Sequence, residues 1–178
     1  MYYTGKGDKG TTKLFNSSER ISKADVVFEV LGSLDELNSW LGYCAVEAQD
    51  WDDINKIIID TQQTLFICQA HFAESDVQVP KNILVSIEKK IQDIGQTIKP
   101  RDSFVLSGGS KLSALLDISR TIARKVERRA VKLSNYNLKN NNQLILAYLN
   151  RLSSLLYVLA RQANDRYQIN EKKPNYKI

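Results

Sequence analysis

Three prolines, Pro80, Pro100 and Pro174, are all that occur in 178 residues, and each falls where the helical spacing of apolar residues has already broken. Proline inside a helix removes a backbone hydrogen bond and clashes with the preceding turn. Its confinement to the breaks leaves five long stretches free to coil, and in each the apolar residues recur three or four apart. The first runs from Lys23 to about Ala48 through Val27, Val30, Leu31, Leu34, Leu37 and Leu41. The second spans Asp52 to Glu74, with Ile54, Ile57, Ile58, Leu65, Phe66 and Phe72. The third, about Asn82 to Gln96, carries Ile83, Leu84, Ile87, Ile91 and Ile94. The fourth runs from about Lys111 to Leu133, and the fifth from Gln143 to about Tyr167 through Leu146, Leu149, Leu152, Leu156, Leu159 and Ala163. Asn135 to Asn142 reads as a polar loop. No alternating pattern is long enough for a sheet, so the expected fold is all-α, a five-helix bundle. Several helices exceed 20 residues and have second faces to bury, which favours an oligomer.

A chain of this length forms one domain, 1–178. Within it, residues 1–22 are rich in Gly, Lys, Thr and Ser and read as an ordered loop or arm, and residues 170–178 as a flexible tail. A core of this size needs neither metal nor disulfide. Cys44 and Cys68 belong to no CxxC pair and lie in apolar helical context, which reads as buried free thiols in a reducing compartment, with an interhelical disulfide as the alternative. The single histidine, His71, has no histidine or cysteine partner nearby, so a satisfied structural role is expected and no metal-ligating side chains are assigned. No apolar run reaches 18 residues and the N-terminus lacks the apolar centre of a secretion signal, so no membrane span and a cytoplasmic location are expected. A net charge of +5 admits an anionic ligand or nucleic acid and selects neither.

The densest chemistry lies in SRTIARKVERRAV, residues 119–131. Arg120, Arg124, Lys125, Arg128 and Arg129 accompany one acid, Glu127. On a helix Arg120, Arg124 and Glu127 fall within roughly 60° of one another, while Leu115, Ile122, Ala123, Val126, Ala130 and Leu133 gather opposite. Guanidinium forks match phosphate oxygens, so the stripe suggests a polyphosphate site; a solvated helix face is the ordinary alternative. At the N-terminus, Gly5-Lys6-Gly7-Asp8-Lys9-Gly10-Thr11-Thr12-Lys13 combines glycines that let backbone N–H groups approach an anion with lysine charge and threonine hydroxyls. It is not an ordinary P-loop: Thr11 stands where the lysine belongs, with no strand before it and no helix directly behind. Two further clusters put polar groups inside apolar helices. Gly32 to Ser39 aligns Asp35, Asn38 and Gly42 on one face; Gly32 there costs about 1 kcal/mol relative to alanine, which suggests a close approach. Asp35 inside a bundle wants a cation, and Arg120 is the expected partner. Tyr148 to Ser153 presents Asn150, which can both donate to and accept from a nucleotide.

Taken together, YTGKGDKGTTKLF, EVLGSLDELNSWLG, FVLSGGSKLSALLDISRTIARKVERRAV and YLNRLSSLLYVLAR resemble the PduO-type ATP:cob(I)alamin adenosyltransferases, in the family's order and over most of the chain, from Tyr3 to about Asn164. The resemblance implies a homotrimer of five-helix bundles with active sites at subunit interfaces and ATP under the N-terminal loop. By matching positions, the nucleotide would be held by Thr4, Gly5, Lys6, Gly7, Thr12, Lys13 and Lys23, by Arg124, Lys125, Val126, Glu127 and Arg128, and by Asn150. Arg120 would pair with Asp35 of a neighbouring subunit and touch the ligand, and Phe104 would crowd the lower face of the corrin. Two departures stand out: the family commonly has T-[KR]-T-G-D where this chain has Thr4-Gly5-Lys6-Gly7-Asp8, and Ser107 stands where proline is usual before the paired glycines.

The family's reaction moves the 5′-deoxyadenosyl group of ATP to cobalt and releases triphosphate. Cobalt(I) is itself a strong nucleophile, which fits a chain with one histidine and no nucleophile-base pair. The protein's task would be alignment of an in-line displacement and stabilisation of the departing triphosphate by cations and Mg²⁺. Partners implied are ATP, cobalamin, a flavin-type reductase and an adenosylcobalamin-dependent enzyme, with neither nucleic acid nor membrane among them. The rival readings are a non-enzymatic basic helical module that binds nucleotide or nucleic acid, and a corrinoid or nucleotide sensor derived from the family.

Overall fold

The structure, a computed structural model, describes residues 2–136 and 143–176. Five helices account for most of it: α1 (Val26–Glu47), α2 (Asp52–Phe72), α3 (Ile83–Gly95), α4 (Lys111–Tyr136) and α5 (Gln143–Arg166). A two-residue antiparallel ladder, β1 (Thr11–Thr12) with β2 (Ile21–Ser22), pins the N-terminal arm, with Thr11 opposite Ser22 and Thr12 opposite Ile21. Helix α1 starts at Val26 rather than Lys23 because Asp25 is its N-cap, its carboxylate accepting from the Val27 N–H at 3.0 Å. The fourth helix extends to Tyr136, so the expected polar loop loses Asn135 and Tyr136 to it; the rest of that loop lies outside the described residues.

Helix α1 packs on α2 and α4, α4 on α1 and α5, and α5 on α3, giving the spatial order α2, α1, α4, α5, α3. A Lys90–Asp60 ion pair at 3.0 Å joins the two ends of that order. The core is the expected apolar phase: Val30, Leu34, Leu37 and Leu41 from α1, Ile54, Ile58 and Leu65 from α2, Ala123 and Val126 from α4, and Leu149, Leu152 and Leu159 from α5 are all shut from solvent. Truncating one such leucine to alanine costs about 2–5 kcal/mol. Phe66 departs from the expected pattern and is exposed, because α2 has α1 as its one extensive neighbour and buries a narrower stripe. Helix α5 is long and apolar enough to cross a membrane by length and composition, but 56% of that apolar stretch is buried inside the bundle.

Local chemistry bears out one further expectation and corrects three. Both cysteines are free and buried, and burial pushes the Cys44 thiol up to about 11 and the Cys68 thiol to about 12. His71 is not satisfied: its Nε2 is buried without a hydrogen-bond partner, and burial lowers its pKa. Among the described residues nothing approaches Gly32, where an added Cβ would meet open space. The tail is tied down at its start, as Glu171 is buried against Arg101 and Arg161, and Lys173 binds Asp102 at 2.8 Å. The far end of α5 is also fastened. Arg166 pairs with Asp53 in the first turn of α2 and lies 5.2 Å from the Trp51 ring, which meets Tyr167 at 4.8 Å.

Candidate functional site

Helix α4 sorts its own cations. Its apolar face is locked between α1 and α5, so the cations flank that face or point away from it. On the side toward α1, Lys125 pairs with Glu36 at 2.5 Å and Arg129 with Glu29 at 2.8 Å. Arg120 turns back on its own helix and donates from Nε to Asp117 Oδ1 at 3.3 Å. Arg124 and Arg128, one turn apart and both exposed, have no ion-pair partner among the described residues. Two forked cations on a rigid helix, uncommitted to any carboxylate, are an anion site in waiting. Val126 is wholly buried between them, so its side chain anchors the helix and only its backbone is left to meet a ligand.

The next helix adds a polar edge. Asn150 Nδ2 donates to Glu127 Oε1 at 2.8 Å, and Asn150 Oδ1 accepts from Arg151 at 2.8 Å. Arg151 is held by Glu88 at 3.0 Å. The exposed Asn150 amide is thus oriented from both ends, with Glu127 drawn toward α5 beside Arg124 and Arg128.

The N-terminal arm is a second cationic element. Two turns, closed by Asp8 N–H to the Gly5 carbonyl and Gly10 N–H to the Gly7 carbonyl, fold residues 5–10. The Lys23 ammonium lies over Gly7, where an added Cβ would fall 2.9 Å from Nζ. Lys6, Lys13 and Lys23 form no ion pair among the described residues. The residue that shapes the arm is Arg20. Its guanidinium donates to the Lys6 carbonyl at 2.5 Å, the Thr11 carbonyl at 2.6 Å and Thr11 Oγ1 at 3.0 Å. Arg20 carries no signal in the sequence, since its partners are mostly backbone carbonyls, which leave no mark on spacing.

The third element is the segment between α3 and α4. Phe104 is 81% exposed, which removes the core role as its explanation. The Gly108-Gly109 turn behind it docks on α5: a Cβ on Gly109 would fall 2.6 Å from Asn164 Oδ1, and Gly109 has φ +100°. Asn164 accepts from Ser110 N–H at 2.9 Å and donates to the Gly108 carbonyl at 2.9 Å. Below, Arg161, 1% exposed, spans Asp117 at 2.6 Å and Glu171 at 2.7 Å. Asp117 and Arg161 were also missed, although a charge at a core-phase position of an apolar helix is a readable signal.

One chain brings together Arg124, Glu127, Arg128 and Asn150 at the α4–α5 seam, leaves Lys125 on the α1 side with Glu36, and groups Thr4, Gly5, Lys6, Gly7, Thr12, Lys13 and Lys23 on the arm. Among the described residues no hydrogen bond or ion pair joins these two groups. Asp35 is exposed and does not meet Arg120 within the chain; the expected pairing inside one bundle is replaced by Arg120–Asp117. A cavity of about 500 Å³ under the arm, lined by residues such as Leu14, Ile21, Val27, Lys132 and Tyr136, includes none of the expected site residues.

Comparison with known proteins identifies the family and the fold. The cobalamin adenosyltransferase family matches residues 2–163. The chain is 38% identical to the corrinoid adenosyltransferase PduO of Salmonella typhimurium over 94% of its own length, and spans about half (51%) of that relative. It is 33% identical to a corrinoid adenosyltransferase of Bacillus subtilis, covering 95% of this chain and 89% of the relative. Among solved structures, a variant PduO-type ATP:corrinoid adenosyltransferase from Lactobacillus reuteri complexed with cobalamin and ATP superposes with a TM-score of 0.91 at 29% identity, covering 99% of this chain and 97% of that one. A second variant from the same organism, complexed with ATP, gives 0.88 at 30% identity, covering 98% of this chain and 100% of that one. With the arginine helix, the Asn150 edge and the glycine-lysine arm all present on a matching fold, the chain belongs to the cobalamin adenosyltransferase family.

Proposed function

We propose that the chain transfers the 5′-deoxyadenosyl group of ATP to cob(I)alamin: a cobalt–carbon bond forms at C5′ as the C5′–O bond breaks and triphosphate departs. The observation that carries this reading is the pair of unpaired guanidiniums, Arg124 and Arg128, beside the Glu127–Asn150 contact, in a family whose solved relatives hold ATP and cobalamin. Arg124 and Arg128 would take the charge that develops on the leaving triphosphate, and Lys125 would join them by leaving Glu36. Thr4, Gly5, Lys6, Gly7, Thr12, Lys13 and Lys23 would close over the phosphates, and Asn150 would fix the nucleoside.

Among the described residues no hydrogen bond or ion pair joins the arm to the α4–α5 edge, which supports a site shared between subunits of a homotrimer, where Arg120 and the exposed Asp35 would meet across the boundary. The residues suit a phosphate-borne Mg²⁺ rather than a protein cage. Among the described residues no group of three or more His, Cys, Asp or Glu is gathered for a metal, and Mg²⁺ commonly relies on substrate phosphates plus one or two carboxylates; Glu127 is the carboxylate at hand. Phe104, exposed on its loop, would press on the lower corrin face and exclude an axial ligand, which eases reduction of cobalt(II). A flavin-type reductase would supply the electron and an adenosylcobalamin-dependent enzyme would take the product. Two buried free thiols suit a reducing, cytoplasmic setting. The test is incubation with chemically reduced cobalamin, Mg²⁺ and ATP: the spectrum should pass to that of adenosylcobalamin with one triphosphate released per turnover. No spectral change rejects the reading.

A further inference from the structure

Glu171 has both carboxylate oxygens committed and only 4% of its side chain exposed. Its Oε2 accepts from Arg101 Nε at 2.8 Å, and its Oε1 from Arg161 Nη1 at 2.7 Å and Asn164 Nδ2 at 2.7 Å. A buried carboxylate persists only where paired charges and hydrogen bonds repay its desolvation, and two of these donors, Arg101 and Asn164, also hold the Phe104 segment. Arg101 stands three residues before Phe104 and pairs with Asp165 at 2.7 Å as well. Asn164 holds the Gly108 carbonyl and Ser110 N–H, both at 2.9 Å, on the far side. Next to Glu171, the Lys172 carbonyl accepts from Leu106 N–H at 2.8 Å. The end of α5 and the chain beyond it thus clamp both flanks of Phe104 while its ring stays in solvent. A loop needed only to join α3 to α4 would gain nothing from an exposed aromatic held this firmly.

We propose that Glu171 is a positioning residue for the corrinoid: through Arg101, Asn164 and the Lys172 carbonyl it sets the height of the Phe104 ring and so governs the one-electron reduction of cobalt(II), not the adenosyl transfer that follows. The inference rests on the corrin-facing reading of Phe104 given above. It differs from a plain stabilising role in predicting a split between starting oxidation states.

The experiment compares Glu171→Gln and Glu171→Asp with the parent in three measurements. With pre-reduced cob(I)alamin and ATP, Glu171→Gln should stay within about threefold of the parent, with an unchanged KM for ATP, because the nucleotide contacts lie elsewhere. With cob(II)alamin and reduced flavin as one-electron donor, it should fall roughly 10- to 100-fold, the scale of a small misplacement at a reacting centre. Electron paramagnetic resonance of bound cob(II)alamin with ATP should show the four-coordinate fraction shrinking, and Glu171→Asp should restore part of it. In ligand-free protein, amide exchange at Leu106 should accelerate. If Glu171→Gln folds poorly, Arg101→Lys, which keeps the charge but loses the fork, should show the same split more weakly. Equal losses from both oxidation states, or an undiminished four-coordinate signal, overturn the proposal. A parent that cannot adenosylate cob(I)alamin rejects the proposed function instead, and the resonance signal, which needs no turnover, still judges Glu171.

Discussion

Asn150 on α5 donates across the helix seam to Glu127 on α4, amide nitrogen to carboxylate oxygen at 2.8 Å. That contact places one neutral donor and one anion at the edge of a face whose Arg124 and Arg128 have no ion-pair partner among the described residues. Asn150→Asp should therefore act twice: it deletes the donor and sets a second carboxylate against Glu127. The KM for ATP should rise at least about tenfold, equivalent to about 1.4 kcal/mol, while thermal unfolding shifts by a few degrees at most because the site is exposed. Steady-state kinetics beside a melting curve separate the two effects.

Arg124→Ala and Arg128→Ala should each lower kcat/KM for ATP by about 10²- to 10³-fold, the usual loss when one preorganised charge contact is removed. Neither guanidinium holds an ion pair among the described residues, so the melting temperature should hardly move. A variant that melts early but turns over normally would show that the arginine is structural.

Arg20→Ala should loosen the arm, since it removes the donor to the Lys6 carbonyl, the Thr11 carbonyl and Thr11 Oγ1. The expected signs are faster tryptic cleavage within residues 6–13 of ligand-free protein and a KM for ATP raised about tenfold, with a smaller change in kcat, because the cost falls on ordering the loop before binding.

The thiols set an alkaline limit. Burial lifts Cys44 to about 11 and Cys68 to about 12, above the ordinary thiol value. Their contribution to stability is whole below the unfolded value near 9 and declines as pH climbs through the folded values, because the unfolded chain loses its thiol protons first. Native protein at pH 8 should resist thiol-specific reagents, and denatured protein should react at both cysteines. The denaturation midpoint should decline from pH 9 upward, and Cys68→Ala should flatten that decline.

Phe104→Ala should slow adenosylation that starts from cob(II)alamin far more than adenosylation from cob(I)alamin, since an exposed ring has little part in holding the fold. Rates from the two starting states, measured side by side, check it.

The helices were readable because burial imposes a period of three and four on the sequence, and the core residues of α1, α4 and α5 sit where that period puts them. Phe66 misled because period alone does not say how many neighbours a helix has, and α2 has one extensive neighbour where α4 has two. The cations of α4 were visible as a group. Which of them are neutralised depends on Glu29 and Glu36, brought alongside by the packing of α1 and far away in sequence. Asp35 was assigned to a bundle interior from its apolar neighbours, yet its own position on α1 faces outward. Arg20 and Glu171 escaped notice for a related reason: each acts mainly on distant partners, carbonyls for the one and three separate side chains for the other.

Trp51 offers a use of its own. Its indole meets the Tyr167 ring at 4.8 Å and lies 5.2 Å from the Arg166 guanidinium, at the end of α5 that also bears Asn164 and Asp165. The chain has two tryptophans, so a Trp40→Phe background would leave a single fluorophore there. Its emission wavelength and quenching would then give an optical signal for movement at that end of the bundle, with no dye attached.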